Sequence, residues 1–104
     1  MSDAGEHEFE VAGKVVLWPS SKPGGGWHYL VIKGRTAMEI RYAALGRTGG
    51  FGSIKVHARI GDTEWQTSLF PERESGGFLI LLKAEVRRRE SIAAGKRVKI
   101  RLAI

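Results

Sequence analysis

The chain has 104 residues, 42% of them hydrophobic and 27% charged, with a formal net charge of +6 and a pI near 10.1. That length admits one domain with a core but no separate catalytic lobe. Without a single cysteine there are no disulfides and no thiol chemistry, and the longest apolar run, "FLILL", is too short to span a bilayer.

The start, "MSDAGEHE", is acidic where a secretory signal would be basic and then apolar, so residues 1–7 read as a disordered tail on a cytoplasmic protein. "FEVAGKVVLW" then sets Phe9, Val11, Val15 and Leu17 against Glu8, Glu10 and Lys14, the two-residue period of a half-exposed strand, with Gly13 marking a bend. Next comes "LWPSSKPGGGWHY". Gly24, Gly25 and Gly26 run from strand into strand, whereas a phosphate loop needs a following helix N-terminus, so they read as a turn. "AMEIRYAAL" is a two-turn helix. "SIKVHARI" buries Ile54, Val56, Ala58 and Ile60, and Gly61 with Asp62 supplies a two-residue hairpin turn. That turn sets a register in which Ile60 faces Thr63, Arg59 faces Glu64, Ala58 faces Trp65 and Ile54 faces Leu69. "GFLILLK" is apolar on both faces and reads as a strand covered on both sides. A second short helix, "AEVRRRES", and a strand, "RVKIRLAI", complete the chain.

The stretch "LWPSSKPGGGW" is echoed by "LFPERESGGF", Glu39-Ile40-Arg41 by Glu85-Val86-Arg87, and "SIKVHARI" by "RVKIRLAI". Each half, about 8–60 and 63–104, reads strand, Pro/Gly connection, strand, short helix, strand. Neither half can bury its own apolar face, so the expected fold is mainly β: a six-stranded, pseudo-symmetric split β-barrel with two short helices in a single domain, 1–104. A monomer is expected, because the pairing partner is already in the chain.

From "FEVAGKVVLW" through "GGGWHYLVI", "IKVHARIGDTEWQTSLFP" and "GGFLILLKAEVRR" to "AGKRVKI", the chain resembles the bacterial family called domain of unknown function 1905. The resemblance implies a small single-chain β-barrel, sometimes fused to a bacteriocin-protection domain, with no assigned reaction or ligand. Over a narrower span, "ILLKAEVRRRESIAAGKRVKI" is similar to AbrB-like swapped-hairpin DNA-binding proteins, including antitoxins of the MazE type. It departs from them where Lys96 replaces the usual acidic residue after Gly95, and where Arg89-Glu90-Ser91 replaces the apolar helix end. That resemblance implies DNA-contacting arginines at Arg87 and Arg88, with Arg41 as the pseudo-symmetric mate of Arg87.

The nucleic-acid-binding candidates are therefore Arg41, Arg87, Arg88, Lys96 and Lys99, within a larger basic set that includes Lys55, Arg59, Arg89 and Arg101. Trp18 and Phe70 follow the last inward leucine of their strands and precede proline. They are the candidates to cap the barrel ends or to line a ligand pocket. Trp27, Trp65, Phe9 and Phe78 fall on faces expected to point inward. His7, His28 and His57 have no spacing that would share a metal, and no Ser, Thr or Lys stands beside an activating base, so no catalytic residue, metal or cofactor is expected. The expected function is non-enzymatic binding of an anionic partner, nucleic acid included. A small ligand in a barrel-end pocket or a protein-interaction role linked to bacteriocin protection is the alternative.

Overall fold

The strand expected from Phe9 to Trp18 divides at Val15. A computed structural model describes residues 7–19 and 26–104, and in it β1 (Glu8–Lys14) and β2 (Val16–Pro19) are separate strands. They are followed by β3 (Gly26–Ile32), α1 (Gly34–Ala43), a single 3-10 turn at Gly50–Gly52, β4 (Ile54–Ile60), β5 (Thr63–Glu72), β6 (Gly77–Leu81), α2 (Ala84–Arg89) and β7 (Arg97–Ala103). The described strands thus number seven where six were expected. They form one antiparallel sheet in the order β1-β7-β4-β5-β6-β3-β2.

The division at Val15 has a backbone cause. β1 pairs with β7 at one end of the sheet and β2 with β3 at the other, so consecutive strands occupy the two ends. Between them the Val15 N–H donates to the Lys96 carbonyl (2.9 Å), and the Val15 carbonyl accepts the Gly95 N–H (2.7 Å). The sheet consequently curls into a half-barrel. His7, assigned to the tail, is instead paired: it exchanges backbone hydrogen bonds with Ile104 at 3.4 and 2.9 Å. The rest of the expected tail, residues 1–6, lies outside the described residues, as do residues 20–25 with Gly24 and Gly25. The strands flanking that second segment do pair, Pro19 opposite Gly26, as a strand-to-strand turn requires.

The β4–β5 register is the expected one throughout, from Ile60 opposite Thr63 to Ile54 opposite Leu69. It sets Ala58 against Trp65 in the core, where the small side chain makes room for the indole. Inward positions of every long strand meet there: Val11, Leu30, Ile54, Leu69, Phe78, Ile80, Ile100 and Leu102 are all buried. Each such side chain contributes on the order of 2 kcal/mol relative to exposure. The helices are too short to persist alone and are held by what they bury, Ala37 and Ile40 on α1 and Val86 on α2.

Two expectations about side-chain direction fail, and both failures fall in one place. Trp27 points outward and is 61% exposed, while Trp65 and Phe78 are buried and Phe9 packs partly buried against the core. β6, expected to be covered on both sides, is covered on one: Phe78 and Ile80 are buried, but Leu79 and Leu81 are only half-buried on the outer face.

Candidate functional site

The outer face of β2, β3 and β6 carries an apolar groove of about 410 Å³, lined by Trp18, Trp27, Tyr29, Val31, Leu79 and Leu81, with Glu72 and Glu74 at its rim. The strand registers assemble it. Trp18 lies directly opposite Trp27, Tyr29 opposite Leu81, and Val31 opposite Leu79, so alternate residues of three neighbouring strands share one surface. Trp18 is 66% exposed and Trp27 61%. Two indoles left in water side by side are a costly arrangement for a protein surface, since each can bury 150–250 Å² (~25 cal/mol per Å²).

The rim is built by the β5–β6 turn. There the Glu74 and Ser75 backbone N–H groups donate to the two Glu72 carboxylate oxygens at 3.1 and 2.8 Å. The Ser75 hydroxyl, followed by these N–H groups, holds the Glu72 carboxyl below its ordinary range. Glu72 is therefore an ionised acceptor fixed in place.

Of the two pocket candidates, Trp18 lines this groove. Phe70 lies on the same outer face, opposite Leu79, and is 41% exposed, but it is not one of the walls. The two do not cap opposite ends. Trp27, Tyr29, Leu79, Leu81, Glu72 and Glu74 were not foreseen as site residues.

The five basic candidates are dispersed. Arg41 donates to the Gly76 carbonyl (2.7 Å) and lies over the Phe78 ring, 5.1 Å from its centroid. Arg87 Nε donates to the Leu82 carbonyl at 3.0 Å. Gly76 and Leu82 flank β6 at opposite ends, so Arg41 and Arg87 are anchored about 20 Å apart along an extended strand. Lys96 Nζ donates to the Ser91 and Glu90 carbonyls at 3.1 and 3.4 Å, holding the turn after α2. Arg88 is exposed on α2. Lys99 joins Arg59, Arg101, Gly61 and Glu10 around a separate depression of about 340 Å³ on the outer face of β1, β7 and β4, where Arg59 and Arg101 are direct cross-strand neighbours.

Among the described residues no group of three or more His, Asp or Glu is placed to hold a metal, and no helix is long and apolar enough to cross a membrane. His57 and Glu64 form an exposed diagonal pair at 2.7 Å across the β4–β5 hairpin, whose register sets His57 opposite Gln66 and Glu64 opposite Arg59.

His28 lies on the inner side of β3, and its buried Nδ1 has no hydrogen-bond partner among the described residues. Burial, and then the charge of Arg87, lower its pKa from 6.5. In the unfolded chain the imidazole recovers its ordinary value, so the unfolded state takes up a proton first as pH falls. Stability should hold above pH 6.5, the unfolded value, and fall below it. Urea unfolding of wild type and His28→Gln between pH 5 and pH 8 checks this, and an equal slope in the two proteins would exclude His28 as the source.

No curated protein matches the chain. A family model does, across residues 13–102, and the matched span contains every strand of the groove and both helices. The chain belongs to the family described as domain of unknown function DUF1905.

Proposed function

We propose that this protein is a non-enzymatic binding module, monomeric and cytoplasmic, that holds a small ligand in the groove of Trp18, Trp27 and Tyr29. The observation that carries the reading is the Trp18–Trp27 pair, exposed side by side above half-buried apolar neighbours. A ligand that covers those faces gains their burial, and a groove of this volume suits a small molecule. The scaffold is read as a six-stranded split barrel of two repeats, with β1 and β2 as one strand broken at Val15. In support, matching β1/β2 with β5, β3 with β6 and β4 with β7 converts each strand pairing into another one: β2–β3 into β5–β6, and β1–β7 into β5–β4. The groove then sits where the first repeat presents tryptophans and the second presents Phe70 and Leu79.

Ligand-observed NMR with three probes that share a phenyl ring, 2-phenylethylammonium, 2-phenylethanol and 3-phenylpropionate, tests the reading. At least one should bind at a probe concentration of about 1 mM, the affinity range open to so few atoms. If none binds, the groove is merely an apolar surface.

A second reading keeps the anionic partner and moves it from the helices to the strands. What favours it is the grouping of Arg59, Arg101 and Lys99 in one depression, three cations against the single carboxylate of Glu10 among its lining residues. Duplex DNA binding over a salt series should then respond to Lys99→Ala with Arg101→Ala and ignore Arg87→Ala with Arg88→Ala. Indifference to the strand pair ends that reading.

A further inference from the structure

We infer, building on the groove reading, that the ligand is a small organic cation: an ammonium group on an aromatic or alkyl stem. The charges at the groove point this way. The molecule is basic overall, at +6, yet among the described residues the charged ones lining this groove are both carboxylates, Glu72 and Glu74. Arg41 is bound to the Gly76 carbonyl and lies over the Phe78 ring, and Arg73, exposed between the two carboxylates in the chain, does not line the groove.

The walls agree with the rim. Indole and phenol rings carry a negative face that attracts an ammonium, and tryptophan does so best of the three aromatic side chains. Trp18, Trp27 and Tyr29 supply three such rings within one groove. A cation leaving water for this site therefore exchanges its hydration for ring faces on the sides and a carboxylate at the mouth, while its stem covers Val31, Leu79 and Leu81. An anion of the same shape would meet two carboxylates and repelling ring faces.

Glu72 is also prepared for this role before any ligand arrives. Its carboxylate is fixed by two backbone N–H groups of its own turn, so little ordering remains to be done on binding. Those N–H groups leave oxygen lone pairs free for a donor from the groove, because each carboxylate oxygen can accept more than one hydrogen bond. The positive charge of the rest of the molecule opposes an incoming cation only weakly: at physiological salt it is screened beyond about 8 Å, whereas the carboxylates border the site itself. The volume, about 410 Å³, suits a free small molecule.

The decisive comparison is the affinity ranking of 2-phenylethylammonium, 2-phenylethanol and 3-phenylpropionate on the wild-type chain, by NMR titration at neutral pH. The ammonium should bind about tenfold more tightly than the alcohol, and the carboxylate most weakly. In Glu72→Gln with Glu74→Gln the ammonium advantage should shrink to about threefold or less while the alcohol is unaffected, since ring faces remain and charge does not. Glu74→Gln alone, which leaves the Glu72 turn intact, should lose part of the advantage. If the alcohol or the carboxylate binds wild type as tightly as the ammonium, cation recognition is refuted and the groove reading survives. If none of the three binds, both fall together. The wild-type ranking decides the matter even if the double variant fails to fold.

Discussion

Gly77→Ala should lower stability by about 3 kcal/mol, a value at the upper end for overpacking, because the added methyl has no side chain to push aside. A Cβ built at Gly77 lies 1.8 Å from the Ile32 carbonyl oxygen, 2.9 Å from its carbon and 3.0 Å from Lys33 Cα, all of them backbone atoms. Relief requires β3 and β6 to separate where Ile32 pairs with Phe78, at the point where the chain leaves β3 for α1. The groove spans those same two strands, so the substitution should weaken ligand binding as well. Gly76→Ala is the control. That position has positive φ, +75°, but open space around it, so its cost should be about 1 kcal/mol from backbone conformation alone. Urea unfolding of both variants separates the effects, and near-equal losses would mean that the close approach of Ile32 is not what requires glycine at 77.

Replacing Trp18 and Trp27 together with alanine should reduce affinity for the best probe about 100-fold while changing stability by less than about 1 kcal/mol. The two effects part because of where the side chains lie. Both indoles are more than half exposed, so folding gains little from them, whereas a bound ligand would be covered by them. Trp65→Ala should behave in the opposite way. Its indole fills the space over Ala58 in the core, and its removal should cost about 3–5 kcal/mol. Titrations and unfolding curves on the same two preparations would separate the roles. A Trp18/Trp27 variant that binds as wild type does would place the ligand elsewhere.

The sequence carried the β4–β5 hairpin down to individual residue pairs, because a two-residue turn leaves one register and the alternation of "SIKVHARI" leaves one inward face. β3 was harder to read, for a physical reason. The echo aligns Trp27 with Phe78, yet "LWPSSKPGGGW" is one residue longer than "LFPERESGGF". In the structure Leu30 and Ile32 are buried while Trp27 pairs with Trp18 on the outer face, so β3 takes the phase that turns the tryptophan outward. Since either phase of "GWHYLVI" presents apolar residues, periodicity alone could not choose between them. A signal for the site was nevertheless present: "GFLILLK", apolar on both faces, marked a strand whose outer side needs a covering. The helix arginines stood out in the sequence through composition and resemblance. Their hydrogen bonds to Gly76 and Leu82 join residues far apart in the chain for Arg41, and periodicity does not encode such contacts.

The indole N–H resonances of the three tryptophans, followed while 2-phenylethylammonium is titrated into the uniformly ¹⁵N-labelled protein, show whether the groove holds the ligand. The Trp18 and Trp27 signals should move together and saturate while that of buried Trp65 stays in place. Stationary Trp18 and Trp27 signals at a probe concentration of about 10 mM, beyond the weak affinities expected of a fragment, would contradict the groove reading.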